Sequence, residues 1–177
     1  ALELVAGLRD TASSHHRAFV VEVMGRNSGY LALMTGLAAG AELILTPEIP
    51  VPPERIPVAF HAAAAAGKAH FIVIVAEGSP LKATEVVQQL TGLAEGGYEP
   101  RLSVLGHVQR GGSPLAFDRL LATRSAAAAV EALLAGKSGV MAGLALGRIG
   151  LVPTHAAIRP CVKVSQEMCT MAEILAR

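Results

Sequence analysis

HFIVIVAEG, residues 70 to 78, sets an unbroken apolar run from Phe71 to Ala76 between a histidine and the pair Glu77-Gly78. A strand with one wet face alternates polar and apolar residues. A run without alternation predicts burial on both faces, the condition of an inner strand in a parallel sheet. AFVVEVM (18 to 24), ELILTPE (42 to 48) and RLSVLGHV (101 to 108) read as further strands, rich in β-branched or aliphatic residues and bounded by glycine or proline. Between them, SGYLALMTGLAAGA (28 to 41), VPPERIPVAFHAAAAAGK (51 to 68) and LKATEVVQQLTGL (81 to 93) read as helices. Strand and helix in alternation predict an α/β fold, a parallel sheet flanked by helices on both faces. ALELVAGLRD (1 to 10) reads as a helix already under way with no N-cap before it, and a preceding segment is expected.

Composition narrows the function classes. Of 177 residues, 52% are hydrophobic and 16% charged, enough to bury the core of one large domain or two small ones. The net charge is +1, the basic residues are scattered singly and aromatics make up 3%, which argues against a nucleic-acid partner. No apolar stretch reaches the length of a membrane span. The two cysteines, Cys161 and Cys169, stand in the C-terminal tail of a sequence without a secretory signal. Neither a disulfide framework nor a metal site is expected, and the expected location is cytoplasmic.

In parallel sheets the ligand site lies beyond the carboxyl ends of the strands, so the residues closing each strand are the candidates. They are Met24-Gly25-Arg26, Thr46-Pro47-Glu48, Ala76-Glu77-Gly78, and Gly106-His107 with Gln109-Arg110. Glycine beside a charged group lets a ligand approach the backbone. Arg26 and Arg110 can grip phosphate oxygens in pairs, His107 can donate or accept, and Glu77 can accept hydrogen bonds from sugar hydroxyls. Singly, each has a plainer reading: Arg26 as a solvated loop residue, Glu77 as a cap of the next helix, His107 as a core histidine. Convergence at one edge of a sheet favours a site for a polar, anionic metabolite.

Three stretches together, VVEVMGRNSGYLALMTGLAAGAE, FIVIVAEG and RLSVLGHVQRGGSPLAFDRLLATRSAAAAVEALLAGKSGV, resemble the C-terminal half of the bacterial ATP-dependent 6-phosphofructokinase family. The likeness runs from about Leu8 to Gly143 and fades in the tail. It implies a phosphofructokinase-type, Rossmann-like three-layer fold. It implies transfer of a phosphoryl group from ATP to the 1-hydroxyl of fructose 6-phosphate in glycolysis. The substrate ligands it implies are Arg17, Met24, Gly25, Arg26, Glu77, Arg101, His107 and Arg110. Within that set His107 would meet the 6-phosphate, Arg110 the sugar and Glu77 its hydroxyls, and Arg26 would supply charge to the reacting phosphate end. Arg17 and Arg101 would reach the substrate of a neighbouring subunit, which makes a homotetramer the implied assembly. Arg9, Gly40, Ala41, Glu42, Lys68, Ala69 and His70 match part of the family's pocket for ADP or phosphoenolpyruvate. Ala66 stands there where a basic residue is often found.

The resemblance also implies an organisation: a substrate domain over 1 to 106, a helical return segment over 107 to 158 that packs on an ATP domain, and a tail over 159 to 177. SAAAAVEALLAG (125 to 136), with alanine on nearly every face, suits close packing of that kind. Phosphoryl transfer needs a nucleotide cradle, carboxylates for Mg²⁺ and a base. The chain has two aspartates, Asp10 and Asp118, neither in a glycine-rich loop, and Asp118 most simply pairs with a neighbouring arginine. GKSG (136 to 139) lacks the strand and upstream glycine of a phosphate loop and reads as a turn. The ATP and Mg²⁺ sites and the catalytic base are therefore expected in the family's N-terminal half, and no catalytic base in this chain. Two alternatives remain beside this reading, a portion of a pyrophosphate-dependent enzyme and a non-catalytic sugar-phosphate-sensing module.

Overall fold

The computed structural model describes residues 1–93, 97–158 and 164–176. These form two compact units, 1–110 with 164–176, and 111–158. The expected segments divided instead at 106 and 158. Residues 107–110 and the described part of the tail group with the first unit.

The first unit contains α1 (Leu2–His15), β1 (Arg17–Val23), α2 (Tyr30–Ala39), β2 (Leu43–Leu45), α3 (Arg55–Ala65), β3 (Phe71–Ala76), α4 (Ala83–Thr91) and β4 (Glu99–Val104). A 3-10 turn follows over Gly106–Arg110. The sheet is parallel throughout, in the order β2-β3-β1-β4, with β3 running beside β1 from Ala18↔Phe71 to Val23↔Ala76. All six residues of β3 are buried. Successive side chains of a strand point to opposite faces, and the two packing layers follow that period. Phe71, Val73 and Val75 pack with Ile56 and Phe60 of α3 and with Val86 and Leu90 of α4. Ile72, Ile74 and Ala76 pack with Val5 and Ala12 of α1 and with Ala32 and Ala39 of α2. Each aliphatic side chain so buried contributes ~1.5–3 kcal/mol, which is why the strand needs no polar residue. Phe60 lies edge-on to Phe71 and Tyr98, with ring centroids 5.3 and 5.4 Å away.

Element ends differ from the sequence reading where proline and glycine act. The strand expected over 42 to 48 stops at Leu45, before Thr46-Pro47. The helix expected from 51 begins at Arg55, because Pro52 and Pro53 shape a turn whose carbonyls accept the N–H groups of Arg55 and Ile56. The last strand ends at Val104 rather than 108, and Gly106 turns the chain with φ +50, a conformation that costs glycine little.

The second unit comprises α5 (Ala116–Leu134), β5 (Val140–Ala145), β6 (Arg148–Pro153) and the short α6 (Thr154–Ala157). The return segment is thus not wholly helical. β5 and β6 pair antiparallel through Leu146-Gly147, where both residues take positive φ, 49 and 78. That backbone matches a two-residue hairpin turn. The tail helix, α7 (Gln166–Leu175), packs against α2 and β2 of the first unit. It carries Cys169 as a free thiol, while Cys161 lies outside the described residues. Among the described residues no helix is long and apolar enough to cross a membrane.

Candidate functional site

Adjacent strands β1 and β3 send their following helices to opposite faces: α2 packs in one layer, α4 in the other. At such a reversal a ligand crevice is expected beyond the carboxyl ends of the two strands, the place where α/β sheets bind ligands. The loop leaving β1 brings Met24, Gly25 and Arg26 there, and β3 brings Glu77. Oε1 of Glu77 accepts the backbone N–H of Gly25 at 3.1 Å and that of Arg26 as well. Arg26 takes φ +54, a left-handed conformation that costs a non-glycine residue ~1–3 kcal/mol and persists only where neighbours enforce it. Two consecutive N–H groups aimed at one oxygen form an anion-accepting concavity, filled here by the protein's own carboxylate. The Glu77 carboxyl is held below the ordinary glutamate range by the Arg26 N–H and then the Gly25 N–H. Burial opposes the shift, and the charges of Arg110 and Arg26 assist it. Glu77 does not cap α4; Glu85 does so, accepting the Lys82 N–H at 2.7 Å. Gly78 sits so close to the loop that a Cβ there would overlap the Arg26 carbonyl oxygen.

His107 and Arg110 lie on the single 3-10 turn after β4, both exposed, so His107 is not a core histidine. Gln109 Nε2 braces that turn by donating to the Gly106 carbonyl at 3.2 Å. Arg17 and Arg101 are not part of this cluster. Arg17 opens β1, roughly 20 Å from its carboxyl end at the rise of a strand. The parallel register puts Arg17 opposite Glu99, and the Glu99 carboxylate takes both arginines, Arg17 Nε at 3.5 Å and Arg101 Nη2 in closer contact.

The residues of the expected effector pocket gather elsewhere in the same unit. Glu42, with a side chain only 4% exposed, accepts Lys68 Nζ at 3.2 Å and the Ile72 N–H at 2.8 Å. Lys68 Nζ also donates to the Ala176 carbonyl at 2.9 Å. Gly40 ends α2 with φ +67, and Ala41 follows buried. Arg9 donates to the Ala39 carbonyl at 3.1 Å, Ala69 is exposed, and His70 Nδ1 meets Ser13 Oγ at 2.9 Å. A cavity of about 500 Å³ borders Ala41, Glu42 and Lys68 on one side and Arg55, Cys169 and Glu173 on another.

The family model described as Phosphofructokinase matches residues 1–133. The chain belongs to the phosphofructokinase family. It is 45% identical over 177 residues to ATP-dependent 6-phosphofructokinase 1 of Thermus thermophilus, covering 99% of this chain and 54% of that protein. It is 50% identical over 143 residues to the ATP-dependent 6-phosphofructokinase of Brevibacillus brevis, covering 81% and 44%. The phosphofructokinase structure from Saccharomyces cerevisiae superposes with a TM-score of 0.79 at 34% identity, over 99% of this chain and 24% of that one. The chain spans about half the length of the curated relatives it matches.

Glu99 and Glu48 are among the carboxylates of this chain to which sequence alone gives no role. Glu99 joins Arg17 to Arg101, and only the register of β1 against β4 could have shown it. Glu48 was visible as a strand-end acid after Pro47, yet nothing local told what it bonds. Asp118 accepts the Leu115 N–H at 2.8 Å and so caps α5, instead of pairing with an arginine. Asp10 is exposed on α1. Among the described residues no group of three or more His, Cys, Asp or Glu is placed to hold a metal ion.

Proposed function

We propose that this chain is the fructose 6-phosphate side of an ATP-dependent 6-phosphofructokinase, a cytoplasmic glycolytic enzyme that moves a phosphoryl group from ATP to the sugar's 1-hydroxyl. The observation that carries the reading is the meeting of Gly25, Arg26 and Glu77 at the carboxyl ends of β1 and β3, with the Arg110 charge close enough to act on Glu77. In this role the loop backbone and the Glu77 carboxylate, with Met24 beside them, orient the sugar. Arg110 holds the sugar, His107 the 6-phosphate, and Arg26 the charge at the reacting end. Arg17, remote from the crevice, and Arg101, whose side chain is half exposed, serve the substrate of a neighbouring subunit in a homotetramer. In this reading ATP, Mg²⁺ and the base are supplied by a nucleotide half outside this chain. The Glu42–Lys68 pair, with Arg9 and the wall of the adjoining cavity, is the place for an anionic effector of the ADP or phosphoenolpyruvate type. An effector there must compete with the Ala176 carbonyl for Lys68, and Ala66 offers it no cation.

Titration of the chain with fructose 6-phosphate, followed by the amide signals of Gly25, Arg26 and His107, tests the reading. Concerted shifts at these positions with an affinity near millimolar are expected. Two charged contacts from a neighbouring subunit are missing, each ordinarily ~1.5–3 kcal/mol. Shifts confined to other residues would refute the placement.

A further inference from the structure

A second carboxylate holds the Met24–Gly29 loop at the end remote from Glu77. Gly29, the last loop residue and the N-cap of α2, donates its N–H to both oxygens of Glu48, each at 3.0 Å. Glu48 stands just past β2, on a short turn fixed by the Ile49 N–H donating to Thr46 Oγ1 at 3.3 Å. Gly29 is buried, and a Cβ there would overlap Thr46 and lie 2.7 Å from Glu48 Oε2, so nothing separates the loop from the strand end. Within the loop, the Ser28 N–H donates to the Gly25 carbonyl at 2.9 Å, so the two ends are mechanically joined. The loop is thus gripped at its start by Glu77, near its middle by the close backbone of Gly78, and at its end by Glu48.

We propose that Glu48 is a positioning residue of the sugar-phosphate site, holding Gly25 and Arg26 in place through Gly29 without touching the ligand. This rests on reading the loop as a sugar-phosphate contact. The physical basis is twofold: a hydrogen bond to an ionised acceptor is about twice as strong as a neutral one, and negative charge is favoured at the start of α2. A strained Arg26 backbone needs such outside support, because left-handed φ relaxes once its neighbours let go. A carboxylate that served α2 alone would affect Gly29 and the first helical turn and leave Gly25 and Arg26 untouched.

Amide hydrogen exchange on the 177-residue chain separates these cases without any ligand. Glu48→Ala is expected to speed exchange at Gly25 and Arg26 roughly fivefold or more, the equivalent of about one net hydrogen bond. Glu48→Gln, which keeps one acceptor oxygen of the same reach but not the charge, is expected to restore part of the protection, and exchange in β3 is expected to stay unchanged. In parallel, fructose 6-phosphate should bind Glu48→Ala roughly 2- to 10-fold more weakly than wild type, with partial recovery in Glu48→Gln. Exchange altered at Gly29 alone would overturn the assignment. A wild-type chain that ignores fructose 6-phosphate would sink the functional reading instead, and the exchange result would still decide the role of Glu48. Should Glu48→Ala fail to fold, Glu48→Asp, one methylene too short for Gly29, gives the same comparison against Glu48→Gln.

Discussion

Glu77 spends its charge on two backbone N–H groups of a strained loop, which makes the loop's order a function of pH. Its carboxyl titrates below the ordinary glutamate range in the folded protein, chiefly because the Arg26 N–H donates to it. The stabilisation is therefore present above the unfolded-state value and lost as pH falls through the lowered one. Amide signals of Gly25 and Arg26 followed from pH 7 into the acid range should broaden or move below the usual carboxylate range, and Glu77→Gln should remove that transition. An identical transition in Glu77→Gln would assign it to another group. Arg101 offers a complementary test, since its pair with Glu99 is half exposed and such pairs stabilise a fold by ~0–1 kcal/mol. Arg101→Ala should leave Tm nearly unchanged while weakening fructose 6-phosphate binding by about 2–5 kcal/mol in the assembled enzyme. Equal substrate affinity would remove Arg101 from the site. Residue types at the strand ends were readable from the sequence. Their partners were not: Glu77 meets Arg26 and Glu99 meets Arg17 across a parallel register that no local pattern encodes.

Elements announced themselves in proportion to how fully the sheet buries them. β3 was legible because each of its residues faces a helix layer, whereas β2 keeps only three residues before Thr46-Pro47 and was overdrawn. The β5–β6 hairpin escaped notice because Leu146 fills a turn position where asparagine, aspartate or glycine would have signalled it, and because GVMAGLALG carries few β-branched residues. Phe60 of α3 is fully buried against Phe71 and Tyr98, so Phe60→Ala should cost ~3–5 kcal/mol in urea unfolding. A loss below ~1 kcal/mol would mean the aromatic cluster does not hold α3 to the sheet. Gly78→Ala should cost ~1–3 kcal/mol by forcing the strand end off the Arg26 carbonyl, and should perturb the amides of Arg26 and Asn27 before those of β3. An unperturbed loop would show that the two backbones are not in contact.

Across the whole molecule, the residues proposed to bind ligand belong to the first unit, and the second unit shows large apolar side chains to solvent. Leu115, 73% exposed, precedes α5, Phe117 and Leu120 are exposed near its start, and Leu133 and Leu134 are 70% and 85% exposed at its end. Isolated exposed leucines mean little, but so many on one helix mark a surface made to be covered. Under the proposed function that cover would be the nucleotide half; the chain spans 54% of its Thermus thermophilus relative. The most direct test joins this chain to the N-terminal half of the Thermus thermophilus relative and follows ATP-dependent conversion of fructose 6-phosphate to the 1,6-bisphosphate in a coupled assay. The joined protein is expected to turn over, to lose most of that activity in Arg110→Ala, and the chain alone is expected to show none. A folded chimera without activity, or turnover by this chain alone, would contradict its assignment as the sugar-phosphate side of the enzyme.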